Sequence, residues 1–354
     1  MNRSTGSKCL FLAALVLALT QATAYAQGRW VKLAPFPEAS EELLGASAGG
    51  KLYVFAGLAP GYKSKGLVYE YDPATDKWTK NKPMALASHH VALAELNGKI
   101  YAFGGFVLPQ SGPPSWVPIN NAFEYDPATD SWKALAPMPS KRGAAVAAAA
   151  GGKLYIIGGA SMHPGSSEPA VLGNRPHRAL PTVEEYDPAA NTWRERSPMP
   201  TARNHAAVGS VGGKIYVIGG RVGSAFVSVL SSNVTTVEEY DPATDQWGVL
   251  KAPMPTARSA VASAVHNGKI YVVGGEMRNE QMFAAFRAFE GYDPVANRWT
   301  VMPPMAVPRH GLAAAVVGNR IHVVSGDVQS AGGISGVKVD IDLHDAYEFE
   351  STSK

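Results

Sequence analysis

The sequence predicts an all-β protein in which six four-stranded sheets are arranged as a ring. Three observations support this prediction. A repeat of 48 to 61 residues runs through most of the 354-residue chain, short β-branched and aromatic runs alternate with turn residues, and there are 36 Gly and 26 Pro. Such patterns are typical of short strands joined by tight turns. With 46% hydrophobic and 17% charged residues, the composition argues against a disordered or coiled-coil chain.

Each repeat contains up to three sequence elements in a fixed order. The first is Pro-Met-Pro-x-x-Arg, at 137–142, 198–203, 253–258 and, as a variant, 304–309. The second is an apolar run that starts near a glycine turn and ends in glycine, at 50–57, 98–105, 152–159, 213–220, 268–275 and, less regularly, 319–326. The third is Tyr-Asp-Pro followed by Trp, at 71–78, 125–132, 186–193, 240–247 and 292–299.

Each of these three sequence elements predicts a particular strand or turn. The Gly-Gly or Asn-Gly pair before the second element predicts a β-hairpin, and the apolar run after it predicts a strand covered on both faces. In the third element Asp and Pro form a turn, and Trp begins the outgoing strand. A single four-stranded sheet cannot bury its own two faces, so the repeats must stack on one another in a ring.

The tryptophans indicate how the ring closes. Five repeats end in Trp, but the sixth ends at Tyr347 and Phe349 without one. Trp30 begins a strand that has no partner upstream. We therefore predict that the strand around Trp30 completes the sixth sheet, so that residues 27–354 form one closed domain.

These motifs resemble kelch repeats, and the resemblance covers nearly all of residues 30–350. It implies a six-bladed kelch β-propeller with four-stranded blades. It implies no single function, because kelch propellers include peptide-binding adaptors, sugar-processing enzymes and copper oxidases. The copper oxidases need a cysteine bonded to a tyrosine. The only cysteine here is Cys9, in a segment that we expect to be removed, so this chemistry is excluded.

The first 26 residues have the pattern of a cleaved signal peptide. Arg3 and Lys8 precede a short apolar run, and Ala24-Tyr25-Ala26 has the small-x-small pattern of a cleavage site. We therefore expect a secreted or periplasmic protein without a membrane span. Removal of this segment leaves 30 basic and 29 acidic residues, a net charge of +1. That charge gives no indication of nucleic-acid binding.

The strand order places the long loops at one end of the ring, which we call the mouth. There the first strand of each repeat begins, the second ends and the third begins. The connections from the second-strand glycine to Tyr-Asp-Pro span 14 to 27 residues, whereas the opposite end has only short turns. Loops on a rigid scaffold are where binding usually resides. Polar residues at these strand ends are the predicted ligand-binding set: Glu41, Glu42, His89, His90, Asn204, His205, Arg221, Ser259, Glu276, His310 and Asp327.

Several residues near the mouth have a competing structural interpretation. Arg142, Arg203, Arg258 and Arg309 recur with the repeat, which favours a role in packing the blades. Three histidines around one axis could bind zinc, but no short-range His-x-His or His-x-x-x-His spacing supports such a site, so we predict no metal and no cofactor. The alternating run at 340–345 favours an exposed edge strand over a calcium loop, because it lacks the glycine bend and the terminal glutamate.

Two functions fit this sequence. The first is an extracytoplasmic binding protein whose mouth recognises a partner protein, a peptide or a carbohydrate. The second is a carbohydrate enzyme similar to the periplasmic sialic acid mutarotases, a mutarotase or epimerase that needs only an acid and a base across a sugar ring. Glu41, Glu42, Glu276 or Asp327 could pair with a histidine for that purpose. The spacing proves no such pair, so whether the protein is an enzyme stays open at this point.

Overall fold

The computed structural model describes residues 28–112, 114–163, 178–223, 232–278, 283–330 and 339–350. Six four-stranded antiparallel sheets form the blades of a propeller, and the first strands of neighbouring blades contact one another all around the axis. The all-β prediction and the six-bladed architecture are confirmed. The predicted signal peptide, residues 1–26, lies outside the described residues. Within the described ranges no helix is long and apolar enough to cross a membrane.

We number the blades in chain order and the strands of each blade from the axis outward. Blade 1 has the strands Glu41–Ala48, Lys51–Ala59, Lys63–Asp72 and Lys77–Lys80, with a 3-10 turn at Pro60–Tyr62. Blade 2 has Ala92–Leu96, Lys99–Phe103, Ala122–Asp126 and Ser131–Ala134. Blade 3 has Val146–Ala150, Lys153–Ile157, Val183–Asp187 and Thr192–Arg196.

The other three blades repeat this order. Blade 4 has Ala207–Val211, Lys214–Ile218, Val237–Asp241 and Gln246–Trp247. Blade 5 has Ala262–His266, Lys269–Val273, Phe289–Asp293 and Arg298–Val301, and blade 6 has Ala313–Val317, Arg320–Val324, His344–Phe349 and Gly28–Lys32. Short two-stranded ribbons extend the mouth loops of blades 2 to 5: Phe106–Val107 with Val117–Pro118, Ala160–Ser161 with Arg178–Ala179, Arg221–Val222 with Ser232–Asn233, and Glu276–Arg278 with Phe283–Ala285.

The ring closes through its N-terminal strand, as predicted. Gly28–Lys32 pairs antiparallel with His344–Phe349, and Trp30 lies opposite Tyr347. The indole Nε1 of Trp30 donates a 2.8 Å hydrogen bond to the carbonyl oxygen of Pro303, in the segment that leads from blade 5 to blade 6. Trp30 therefore makes for blade 6 the contact that a fourth-strand Trp makes in each other blade, since Trp78 donates in the same way to Ala34 and Trp193 to Ala136.

In the five blades that carry it, the Tyr-Asp-Pro turn forms hydrogen bonds with the segment that leads in from the preceding blade. The Tyr71 hydroxyl donates a 2.7 Å hydrogen bond to Asp76 Oδ1, and the same oxygen accepts the backbone N–H of Ala34 at 2.9 Å. Asp76 adopts a positive φ of 52°, a conformation that Asp and Asn tolerate better than most residues. Asp or Asn occupies this position in all five blades that carry the motif: Asp76, Asp130, Asn191, Asp245 and Asn297.

The recurrent arginines are buried in the blades, in agreement with their predicted packing role. Arg203 is 1% exposed, and its guanidinium donates to Glu238 Oε2 at 2.6 Å and to the Thr236 carbonyl at 2.8 Å. The same kind of ion pair occurs in four blades, in each case to a carboxylate on the third strand: Arg142 with Glu184, Arg203 with Glu238, Arg258 with Glu290 and Arg309 with Asp345.

In blades 1 and 2 both members of this pair are replaced together. Ser40 and Ser88 stand in place of the arginine. Tyr69 and Phe123 stand in place of the carboxylate, as the strand registers show. A buried charge without its partner is strongly destabilising, whereas an uncharged pair of suitable shape is tolerated. The paired replacement therefore identifies the arginine and the carboxylate as one structural unit.

Breaking this unit in blade 5 tests the interpretation. Glu290→Phe leaves Arg258 buried without its carboxylate, and we expect the free energy of unfolding to fall by about 3–5 kcal/mol. The double variant Arg258→Ser, Glu290→Phe reproduces blade 2 and should recover at least half of that loss. Urea denaturation of both variants measures the difference. A double variant that is no more stable than Glu290→Phe would contradict the assignment.

Blade 6 contains a buried histidine pair on its second and third strands. His322 Nδ1 lies 2.9 Å from His344 Nε2, and both side chains are 0% exposed. His344 also packs edge-on against Tyr71 of blade 1, with ring centroids 4.5 Å apart. Burial lowers the pKa of His322 to about 4, with a further contribution from Arg320. Burial and the neighbouring His322 lower the pKa of His344 to about 3.

These depressed pKa values predict acid sensitivity at the seam between blades 6 and 1. An unfolded histidine binds its proton near pH 6.5, so the unfolded state takes up protons first as the pH falls. Stability present above pH 6.5 is lost as the pH falls to about 4 for His322 and about 3 for His344. The full loss is about 3 kcal/mol or more for each residue.

Urea denaturation at pH 7.5 and pH 5 measures this sensitivity. His344→Val introduces the residue that blades 3 and 4 carry at this register, Val183 and Val237. We expect a smaller loss of stability between the two pH values in this variant than in the wild type. An equal loss in the two proteins would show that the pair is not the source.

The prediction for residues 340–345 was wrong. They do not form an exposed edge, because the strand that follows from His344 is the third of four and pairs on both sides. Asp345 is the partner of Arg309, and Asp340 forms an antiparallel bridge with Asp327 at the mouth. Asp342 is exposed but precedes the strand, whereas Asp345 within the strand forms an ion pair with the buried Arg309.

Candidate functional site

The mouth is built on a ring of six residues, one from each blade, in the left-handed backbone conformation. We call it the axial ring. Its members have φ values between 49° and 59°: Glu42, His90, Ala144, His205, Ala260 and Gly311. Backbone hydrogen bonds connect five of them from blade to blade: Ala144 N–H to His90 O at 2.8 Å, His205 to Ala144 at 3.0 Å, Ala260 to His205 at 3.0 Å, and Gly311 to Ala260 at 3.1 Å. The bond from Leu43 N–H to Gly311 O, 3.0 Å, connects blades 6 and 1.

The residue before each ring member bridges to the residue that follows the second-strand glycine. The alignment of the repeats predicted that both residues lie at the mouth. The structure shows this pairing in every blade: Glu41 with Leu58, His89 with Phe106, Gly143 with Ala160, Asn204 with Arg221, Ser259 with Glu276, and His310 with Asp327. The eleven candidate residues therefore occupy equivalent positions around one axis.

On the side of blades 4 and 5 the candidate residues form a network around Arg221. Its guanidinium donates to Glu276 Oε1 at 2.9 Å and to His205 Nε2 at 2.9 Å. Because arginine can only donate, His205 Nε2 is the acceptor and the ring proton is on Nδ1, facing Asn204 Oδ1. Glu276 is 1% exposed, and its second oxygen accepts a 2.8 Å hydrogen bond from Ser330.

On the side of blades 1, 2 and 6 the carboxylates of Glu41 and Glu42 contact two histidines. His90 Nε2 lies 3.1 Å from Glu42 Oε2, and His310 Nε2 lies 3.3 Å from Glu41 Oε2. Burial favours the protonated form of Glu42. The charge and hydrogen bond of His90, together with the charge of His310, outweigh that effect and hold the Glu42 pKa below its usual value. Glu42 is therefore a carboxylate at neutral pH.

Two aromatic side chains, Phe106 and Trp116, pack against the histidines of blade 2. Trp116 stacks on Phe106 at a centroid distance of 5.3 Å and contacts His90 at 4.8 Å. His90 also contacts His205 of blade 4, with ring centroids 4.9 Å apart. Burial lowers the pKa of His89 well below its usual value, and the charge of His90 adds to this effect, so His89 is neutral.

Four side chains at the mouth have buried hydrogen-bonding atoms that no described residue satisfies. They are His89 Nε2, Trp116 Nε1, Asn204 Nδ2 and both ring nitrogens of His310. Buried polar groups in native proteins are nearly always hydrogen-bonded to protein, water or ligand. Five such atoms lie together at the mouth, whereas others among the described residues, such as the Nε atoms of the four buried arginines, are spread over separate blades.

A cavity of about 450 Å³ runs along the axis, lined by the first strands of all six blades. Its wall consists mainly of Ala, Val and Leu, and the charged and imidazole groups Glu42, His90 and His205 line it at the axial ring. The axis therefore combines an apolar channel with a polar end.

The structure brings most of the candidate residues into contact but does not form a three-histidine site. Among the described residues there are two clusters of three metal-ligand side chains within 4.8 Å, and neither contains more than one histidine: Glu41 with Glu42 and His310, and Glu41 with Asp327 and Asp340. The Ser259 backbone pairs with Glu276, and its hydroxyl donates to Asn233 Oδ1 at 3.3 Å.

Sequence reasoning missed Trp116, Asn233 and Ser330 as site residues. All three come from mouth loops whose lengths differ between blades, so no repeat position marks them. The one available signal was that Trp116 is the only tryptophan outside the repeat scheme.

Family models match most of the chain. The Kelch motif matches residues 45–85, 87–139 and 141–200, and the KLHDC2/KLHL20/DRC7 Kelch-repeats domain matches residues 173–326. The chain belongs to the kelch-repeat family, as its motifs predicted, and the kelch propeller is commonly a protein-binding fold.

Individual relatives agree with this assignment. The chain is 28% identical over 225 residues to Kelch-like protein terF of Aspergillus terreus, covering 63% of this chain and 46% of that protein. It is 31% identical over 202 residues to Kelch-like protein 25 of Xenopus tropicalis, covering 57% and 31%. The match thus spans less than half the length of either relative. A solved structure titled "Structure of YjhT" superimposes with a TM-score of 0.69 at 18% identity, covering 88% of this chain and 96% of that one, and this likeness supports the fold alone.

Proposed function

We propose that this protein is an extracytoplasmic binding protein that recognises a polar group of a protein, peptide or carbohydrate ligand at the mouth. The observation that carries the proposal is the set of buried, unsatisfied donors and acceptors on His89, Trp116, Asn204 and His310. A ligand that presents hydroxyl or amide groups, which both donate and accept hydrogen bonds, would satisfy them. The extracytoplasmic location rests on the signal-peptide pattern at 1–26, and N-terminal sequencing of the exported protein, with Gln27 expected first, tests it.

The depth of the network indicates how the ligand is recognised. Glu276 is 1% exposed and His310 0%, so a flat protein surface cannot reach them. Arg221 and Glu42 are more open, each with 13% of its side chain exposed. The ligand therefore inserts a side chain or a sugar unit at the axis, where Arg221 and Glu42 meet it first.

The loops around the mouth offer apolar contacts for the rest of a ligand. Leu108, Phe283 and Val339 belong to the mouth loops of blades 2, 5 and 6, and each is 36–39% exposed. Exposed apolar side chains around a polar centre suit a partner that combines a polar anchor with an apolar flank. A peptide segment of a partner protein has this character.

Arg221→Gln tests the proposal. We expect at least a tenfold loss of affinity, because the variant removes the guanidinium that orders Glu276 and His205. Arg196→Gln is the matched control: Arg196 also has 13% of its side chain exposed and pairs with a glutamate, Glu185, but on the outer edge of blade 3. Peptide display and a glycan array with the wild-type protein identify the ligand, and calorimetry compares the variants. Equal affinity of Arg221→Gln and wild type would refute the mouth as the binding site.

A sugar mutarotase is the second candidate, and one observation favours it. The pairs His90–Glu42 and His310–Glu41, with 3.1 and 3.3 Å between imidazole and carboxylate, give the mouth two separate proton-exchanging pairs, and acid–base catalysis at a sugar ring needs one group that donates a proton and one that accepts it. Proton NMR of anomer exchange in freshly dissolved sugars, sialic acid included, measures this activity. A rate above the buffer rate that His90→Gln abolishes would support the enzyme, and a rate equal to buffer for every sugar would exclude it.

A further inference from the structure

We propose that Glu41, Glu42 and His310 form a binding site for one divalent transition-metal ion of the zinc or manganese type. The donor atoms of these three side chains all lie within 4.8 Å of one another at the mouth. The inference does not rest on the ligand proposed above, because the ion binds to groups of this chain alone.

The distances fit metal coordination. Two ligands at 2.1 Å from a tetrahedral ion are about 3.4 Å apart. His310 Nε2 and Glu41 Oε2 are 3.3 Å apart. They nevertheless make no hydrogen bond, and neither ring nitrogen of His310 finds a hydrogen-bond partner among the residues that the structure describes. His310 is 0% exposed, so its imidazole is a buried ligand aimed at two carboxylates.

The backbone brings the two glutamates to the same side. Successive side chains of a regular strand point to opposite faces. Glu42 has a φ of 54°, which breaks that alternation, so adjacent residues both reach His310. Gly311 permits the approach, because a Cβ at this position would lie 2.7 Å from the Glu42 backbone nitrogen. The arrangement requires this local geometry and is not a chance crowding of surface acids.

Neighbouring side chains hold the ligands in place. His90 Nε2 donates to Glu42, because a carboxylate can only accept, and it leaves the other Glu42 oxygen for an ion. Such outer hydrogen bonds orient ligands in metal sites. Glu276 Oε2 is 3.9 Å from His310 Nε2 but is held by Ser330, so Glu276 adds negative charge near the ion without being assigned as a ligand.

The donor set indicates the kind of ion. One imidazole and two carboxylates suit zinc or manganese, whereas calcium prefers six to eight oxygens and copper(I) prefers sulfur. Three protein ligands leave a coordination position open to water or to an oxygen of a bound molecule. Asp327 belongs to the neighbouring cluster but accepts the backbone N–H groups of Gln329 and Val339, so we assign it to the loop.

Calorimetric titration of chelator-treated, tag-free full-length protein with ZnCl₂ and with MnCl₂ tests the site. We expect one ion per chain for at least one of the two metals. Glu42→Gln and His310→Gln should each weaken binding at least tenfold. His205→Gln is the matched control, since His205 lies in the axial ring but outside the cluster, and it should bind the ion as the wild type does.

Cobalt(II) provides a readout that does not depend on stability. We expect visible absorption bands of a four- or five-coordinate cobalt ion in wild type and His205→Gln, and their loss in Glu42→Gln, a variant with little change in shape. No binding of zinc or manganese below 100 μM (about 5.5 kcal/mol) would overturn the proposal. So would binding that survives both ligand substitutions. A site lost in His205→Gln would instead indicate the three-histidine arrangement. None of these results depends on whether a peptide or a sugar binds.

Discussion

The axial ring is the constraint on which the rest of this molecule depends. Five of its six positive-φ residues, His90 to Gly311, are joined from blade to blade by backbone hydrogen bonds, and the bond from Leu43 N–H to Gly311 O links blades 6 and 1. Left-handed backbone is unfavourable for residues with a side chain, and the hydrogen bonds between blades help to hold His90, Ala144, His205 and Ala260 in it. Because the ring is made by the backbone, its side chains are free to differ between blades. The side chains do differ: blades 1, 2 and 4 place Glu42, His90 and His205 in the ring, and blades 3, 5 and 6 place Ala144, Ala260 and Gly311 there.

The contacts that stabilise the propeller lie elsewhere and are repeated. Each blade is fastened to its neighbour by a tryptophan N–H on the outermost strand, and in five blades by a tyrosine that shares an aspartate or asparagine with the preceding blade. Four blades add a buried arginine–carboxylate pair. None of these hydrogen bonds and ion pairs involves the charged groups at the mouth. A binding site can therefore carry buried unsatisfied groups, which are unfavourable in themselves, because the repeated contacts offset them.

Sequence reasoning predicted the fold well because the repeats encode local rules many times over. The missing Trp in the sixth repeat and the unpaired Trp30 were sufficient to predict the closure. The strand-end positions of Arg221, Glu276 and Asp327 also followed from aligning the repeats. The sequence did not show which of these side chains contact one another. Those contacts depend on blade curvature and on the left-handed backbone of the axial ring. Glu42, His90 and His205 are not residue types that mark a left-handed position in a sequence.

The run at 340–345 was misjudged for a related reason. Alternating acids are typical of a solvated edge, but here Asp345 pairs with Arg309 inside the blade, an interaction between residues 36 positions apart. Loop residues such as Trp116 and Ser330 have no equivalents in other blades, so only the folded chain shows that they belong to the mouth.

The most direct test of this account is the stability of a variant in which the polar side chains of the axial ring are removed together. Glu42→Ala, His90→Ala and His205→Ala give blades 1, 2 and 4 the residue that blades 3 and 5 already have. If the network exists for binding, the free energy of unfolding in urea should stay within about 1 kcal/mol of wild type or rise. A fall of several kcal/mol would show that the network holds the propeller together, and would contradict the separation of scaffold and site.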